Sequence, residues 1–173
     1  MRIIGGRLKG RSVKVPDRKG LRPTSARVRE AVFHRLLTRL EGADVLDVFA
    51  GSGVLAFEAL SRGAARAVCV ERDSVAARTI HDTARGLGVE VEVRRRDARR
   101  AGKDQFDVVL ADPPYDDDPA VWASRLAKNV RADGVLVMEH RSGALHPRSL
   151  RGLSVEWQRR YGDSEVTFLL PQA

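Results

Sequence analysis

A chain of 173 residues, 43% of them hydrophobic, suffices for one domain with a sizeable core. The single cysteine, Cys69, excludes an internal disulfide, and no apolar run is long enough to span a bilayer. The net charge of +8 is concentrated: residues 1 to 40 hold twelve Lys or Arg against Asp17 and Glu30, a net of +10, leaving −2 for the remainder. Such asymmetry points to a polyanion at the N-terminal end, where Lys and Arg displace counterions from phosphates. A solvated, solubilising face is the competing explanation, but the acids needed for surface pairing are nearly absent there. Residues 1 to 10 are charged and lack a hydrophobic signal core, so the expected compartment is the cytoplasm.

From the N-terminus, Arg2 to Gly5 and Arg11 to Val15 read as a small hairpin bounded by Gly5-Gly6 and Gly10. A loop carries Pro16 to Arg22. Pro23-Thr24-Ser25 reads as a helix start, with Val28, Val32, Leu36 and Leu40 repeating every four residues on one face. After Glu41-Gly42, strands are expected near 44 to 49, 67 to 71, 89 to 94, 106 to 111 and 134 to 139. Their alternation with helical segments predicts a parallel sheet and a doubly wound α/β fold. Asp118-Pro119 suits an N-cap and first helical position, which gives the acids 116 to 118 a structural use. Ser154 to Arg160 and Val166 to Leu170, joined by Tyr161-Gly162-Asp163-Ser164, read as a closing hairpin.

Two motifs fall at the carboxyl ends of these strands, where open α/β sheets bind ligands. The first is Asp47-Val48-Phe49-Ala50-Gly51-Ser52-Gly53, a strand running into a glycine turn and then a helix. Its glycines admit a ligand close to the backbone, and the next strand ends in Glu71, whose carboxylate can accept from both hydroxyls of a ribose. Gly51-x-Gly53-x-x-Ala56 also satisfies the relaxed dinucleotide fingerprint. Asp47 favours a cofactor with an ammonium group, which NAD lacks and S-adenosylmethionine has. The second motif is Asp112-Pro113-Pro114-Tyr115 after the apolar run 106 to 111. The prolines cannot continue a ladder, so the strand end presents acceptors from Asp112 and the Pro113 carbonyl, beside the flat ring of Tyr115. That is a pocket for a planar amine, with a plain Asp-Pro turn as the alternative.

The pair of motifs resembles the class I S-adenosylmethionine-dependent methyltransferases that modify exocyclic amines. The segments Met1-Arg2-Ile3-Ile4-Gly5-Gly6, Leu21-Arg22-Pro23-Thr24-Ser25, Arg27-Val28-Arg29-Glu30 and Tyr161-Gly162-Asp163-Ser164 are similar, more narrowly, to the RsmD-type enzymes, which methylate guanine N2 in bacterial 16S ribosomal RNA. The likeness runs from Met1 nearly to the C-terminus, with His34 standing where much of that family has Asn. It implies a Rossmann-like, mainly parallel seven-stranded sheet with helices on both faces. The small hairpin extension would occupy residues 1–22 and the methyltransferase domain 23–173.

The resemblance also implies a set of roles. Asp112, Pro113, Pro114 and Tyr115 would hold the acceptor base. S-adenosylmethionine would lie against Asp47, Phe49, Ala50, Gly51, Ser52, Gly53, Glu71, Arg72, Asp97 and Ala98, with Asp97 bonding the adenine amine, and would leave as S-adenosylhomocysteine. Arg2, Arg7, Lys9, Arg11, Arg22, Thr24 and Arg27 would contact RNA. The partner would be 16S rRNA or the assembling small subunit, met by a monomer away from any membrane.

Other residues carry less. His34, His81, His140 and His146 lack metal-ligand spacing, so no metal is expected, and Ser52 sits in no nucleophile elbow. Arg94 to Arg96 are expected to be a solvated strand end, Trp122 and Trp157 to be core or groove wall, and Glu71, at an open strand end, to be dispensable for folding. Three other functions fit parts of the chain: a DNA adenine-N6 or cytosine-N4 methyltransferase, a nicotinamide oxidoreductase, and a noncatalytic RNA-binding factor.

Overall fold

A computed structural model describes residues 1–16 and 24–172. In chain order the elements are α1 (Ala26–Arg35), α2 (Leu37–Leu40), β1 (Asp44–Val48), α3 (Val54–Ser61), β2 (Arg66–Glu71), α4 (Ser74–Leu87), β3 (Glu92–Arg95), β4 (Phe106–Ala111), α5 (Pro119–Leu126), β5 (Val130–Arg141), β6 (Leu153–Tyr161) and β7 (Ser164–Pro171). The strands form one seven-stranded sheet in the order β3-β2-β1-β4-β5-β7-β6. β1 to β5 pair in parallel, and β7 runs antiparallel between β5 and β6. The chain winds outward from β1 through β2 to β3, then returns to β4 on the other side of β1. The switch in strand order therefore lies between β1 and β4, and a crevice opens there at the carboxyl ends.

The central strands are apolar on both sides because both sides are covered. Val45, Val108, Leu110 and Val137 join one buried cluster with Phe33, Phe57 and Ile80. Leu46, Val109, Leu136 and Met138 join the other with Trp122 and Leu126. Truncating any of these to Ala is expected to cost about 2–5 kcal/mol for the larger side chains. Among the described residues no helix is long and apolar enough to cross a membrane.

Several expected boundaries move. β1 ends at Val48, because Phe49 turns to a positive φ of 68°. β3 begins at Glu92, since Gly88 caps α4 in the left-handed conformation and Val89 donates back to the Ala84 carbonyl. β5 starts four residues early, at Val130. Its polar opening hides a strand held by charge: Arg131 donates to Asp44 (2.8 Å) and Asp107 (2.7 Å), clamping the first residues of three neighbouring strands. The helix expected on a four-residue repeat breaks at Leu36 into α1 and α2, yet Val28, Val32, Leu36 and Leu40 are all buried and His34 is exposed.

The N-terminal hairpin reduces to a single bridge, Arg2 to Ser12, around a turn-rich tip. What holds it is α3. Ile4 N donates to Glu58 (2.8 Å), Leu8 N to Ser61 Oγ (2.9 Å), and Arg7 N to the Ser61 carbonyl (2.8 Å). Gly6 is pressed so closely on that carbonyl that a Cβ would lie 1.9 Å from it. Ile3, Leu8 and Val13 insert into the same core cluster as β1.

Candidate active site

The glycine turn after β1 is shaped by backbone conformation. Phe49, Gly51 and Gly53 all take positive φ, which costs a non-glycine residue on the order of 1 kcal/mol or more. Phe49 is held there by an edge-on contact with Trp122, 4.8 Å between ring centres. Gly53 precedes α3 and has no side chain with which to cap it. Asp47 does that work from β1: its carboxylate accepts from Ala56 N at 3.3 Å. Asp47 is almost wholly buried, and burial raises its pKa from 3.8 to about 7, with nearby Glu71 adding to the rise and the Ala56 bond opposing it.

Glu71 is buried as well. It accepts from Gly51 N (2.9 Å) and Asp73 N (2.8 Å), so the carboxylate at the end of β2 fastens the glycine turn to the start of α4. Glu71, expected at an open strand end, is thus buried and bonded to backbone through both carboxylate oxygens. Asp73 caps α4 through Val75 N and Ala76 N.

A cleft of about 650 Å³ runs along the carboxyl ends of the sheet, within the range of small-molecule sites. One end is formed by Phe49, Gly51, Glu71, Arg72, Asp97 and Ala98. Asp97 accepts from Arg99 N at 2.8 Å and also approaches Arg99 Nη1. At the other end stand Asp112, Pro113, Pro114 and Tyr115. The two sequence motifs thus share one space. Asp47, Ala50, Ser52 and Gly53 are buried behind the cleft surface instead of lining it.

The acceptor end has a rigid frame. Asp117 N donates to the Pro114 carbonyl (2.9 Å), and Trp122 Nε1 donates to Asp117 (2.9 Å), so Trp122 is both core and groove wall. Asp118 caps α5 and Pro119 takes its first position, as the sequence indicates. The Tyr115 hydroxyl is hydrogen-bonded to Ser164 Oγ, tying this loop to β7, and the Arg141 guanidinium lies 5.9 Å from the Tyr115 ring centre.

Residues missed by sequence reasoning complete the wall. Glu139 of β5, Tyr161, Asp163 and Ser164 of the closing hairpin, Ser25, which caps α1, and Val28 within α1 also face the cleft. The Tyr161-Gly162-Asp163-Ser164 segment signalled its presence through the resemblance, whereas Glu139 had no signal beyond an acid in an apolar strand.

Among the expected RNA contacts, Arg2, Arg7, Lys9, Arg11 and Arg27 are exposed and Thr24 is half-buried; Arg22 lies outside the described residues. Arg11 also donates to the Gly86 carbonyl at 2.7 Å, which holds its guanidinium against the end of α4. The neighbouring Arg29 is different. It is buried against Glu58 (3.1 Å) and bonds the Arg2 carbonyl (3.0 Å), while Arg62 closes on Glu58 from the other side. Arg94, expected in solvent, is mostly covered and pairs with Glu92 and Asp104, both at 2.7 Å. Arg95 and Arg96 are exposed.

A parallel sheet extended by an antiparallel β7, with its crevice at the β1/β4 switch, defines the Rossmann-like methyltransferase class. The chain belongs to the RsmD family, whose family description, Conserved hypothetical protein 95, matches residues 1–170. It is 33% identical over 173 residues to YlbH of Bacillus subtilis, covering 94% of each chain. It is 37% identical over 123 residues to the Ribosomal RNA small subunit methyltransferase D of Haemophilus influenzae, covering 66% of this chain and 64% of that one. The solved structure of yhhF from Escherichia coli superposes with a TM-score of 0.87 at 30% identity, over 100% of this chain and 98% of that one.

Proposed function

We propose that this protein transfers a methyl group from S-adenosylmethionine to the N2 amine of a guanine in small-subunit ribosomal RNA. The relatives' names support the RNA substrate and the methyl chemistry. The observation that carries the rest is the common cleft of Glu71 and Asp112-Pro113-Pro114-Tyr115.

The donors around the glycine turn favour S-adenosylmethionine over a dinucleotide. A pyrophosphate needs free N–H groups at the turn and the helix start. Here Gly51 N points at the Glu71 carboxylate and Ala56 N at Asp47. Anionic phosphate would find those donors already taken and the Glu71 carboxylate beside them, whereas a cofactor without phosphate at the turn meets no such repulsion. Glu71 would accept from ribose hydroxyls and Asp97 from an adenine amine, a reading supported by both residues lining the cleft.

Bound S-adenosylmethionine would supply an electrophilic methyl carbon on its sulfonium. The chain's own residues position the acceptor. Asp112 accepts from the amine and keeps its lone pair out of ring conjugation, and the prolines hold that carboxylate at a fixed strand end. Tyr115, fixed by Ser164, presents a face on which a base drawn from its stack can lie. Proton loss follows transfer, so no strongly basic side chain is required. The exposed arginines of the N-terminal tip and of α1 would grip phosphates near the mouth, since Ser25 and Val28 already line it.

Calorimetry with S-adenosylmethionine and with NAD tests the cofactor; methyl transfer to small-subunit rRNA against duplex DNA tests the substrate. Binding of NAD alone, or transfer to DNA alone, would refute this assignment.

A further inference from the structure

β4 and β5 run parallel with Ala111 paired to Met138. One residue further on, Asp112 and Glu139 are therefore neighbours across the two strands. They follow Leu110 and Val137, which pack into the same face of the sheet. Alternation along each strand puts Asp112 and Glu139 on that face together, and both line the cleft. Neighbouring strands lie about 4.8 Å apart, a spacing that one base edge can bridge.

A carboxylate only accepts hydrogen bonds. Two of them side by side are matched by adjacent donors, and among the bases with an exocyclic amine guanine provides these, as N1–H beside N2–H. Adenine and cytosine place a ring-nitrogen acceptor next to the amine, which would face Glu139 acceptor to acceptor. A third group is consistent with guanine: Tyr161 lines the same cleft, and its hydroxyl is buried with no hydrogen-bond partner among the described residues. It is a donor of the kind the guanine O6 carbonyl needs.

From this geometry we infer that Glu139 accepts the N1–H of the target guanine while Asp112 holds its N2 amine, so that Glu139 sets the choice of base. The inference rests on the amine-transfer reading above. A site built to bond a donor discriminates strongly against an analogue that lacks it, because its own polar group is left unpaired.

The test uses small-subunit rRNA, free and assembled with ribosomal proteins, carrying guanine or 2-aminopurine at the modified position. 2-Aminopurine keeps the amine but presents an acceptor at N1. The wild-type protein should favour guanine by about 100-fold or more in kcat/KM. Glu139→Gln, whose amide can donate to that acceptor, should bring the ratio to within roughly tenfold while binding S-adenosylmethionine as before. Equal use of both bases by the wild type, or undiminished discrimination by Glu139→Gln with cofactor affinity intact, would overturn the inference. Should Glu139→Gln lose cofactor affinity, Glu139→Asp replaces it: the shorter carboxylate should lower kcat/KM on guanine more than on 2-aminopurine, narrowing the ratio, and equal losses on both would overturn the assignment. A wild-type protein that methylates neither base overturns the amine-transfer reading itself, an outcome distinct from loss of selectivity.

Discussion

Asp47→Asn isolates the cost of the buried carboxylate behind the glycine turn. The amide oxygen can still accept from Ala56 N, so the cap on α3 is retained while the charge is removed. The Asp47 pKa is raised from 3.8 to about 7 in the folded protein. A raised folded value means that the folded state binds the proton more tightly than the unfolded chain does. Its stabilising contribution is present in full below pH 3.8 and is lost as pH rises through 7. Linkage between those values gives a loss of roughly 2–3 kcal/mol between pH 5 and pH 8 for the wild type. The Asn variant has no such loss. Urea unfolding followed by tryptophan fluorescence at both pH values should show its stability relative to the wild type improving by about that amount. A stability difference that does not change with pH would refute the reasoning.

Glu71→Ala should both unpin the glycine turn and remove the ribose contact. Cofactor affinity should fall at least about tenfold and stability by roughly 1–3 kcal/mol; weakened binding with an unchanged Tm would show that the turn does not depend on it. Glu58→Ala leaves the buried Arg29 and its neighbour Arg62 without their shared partner, a change that costs about 3–5 kcal/mol in such settings. Urea titration checks this, and a loss below about 1 kcal/mol would contradict the clamp. Reversing Arg7 and Lys9 to Glu should weaken rRNA binding and lower the salt slope by up to about 0.9 per lost duplex contact, with calorimetric cofactor affinity unchanged; wild-type RNA affinity would make the charge a solubility feature.

The sheet was legible because its strands are mostly short apolar runs, and the cleft motifs because Asp112 follows β4 directly and the glycine turn begins within three residues of the end of β1. Boundaries failed where charge or backbone conformation overrode pattern. Arg131 lies in a polar stretch that reads as loop, yet its pairs with Asp44 and Asp107 extend β5. Phe49 ends β1 by taking a positive φ that no propensity indicates. Asp47 turns inward to cap α3 where Gly53 has no side chain to do so, a tertiary exchange of roles between a strand and the helix after it. Arg29 sits among exposed arginines in sequence, but its burial was set by Glu58, a residue 29 positions away. Glu139 became part of the site only through register with β4.

The most direct test of the central claim is mass-spectrometric mapping of small-subunit rRNA incubated with the protein and isotopically labelled S-adenosylmethionine, beside Asp112→Ala. The wild type should place label on the N2 amine of one guanine, and Asp112→Ala should place none while still binding the cofactor. Label on another atom or on no rRNA at all, or near-native transfer by Asp112→Ala, would contradict the account.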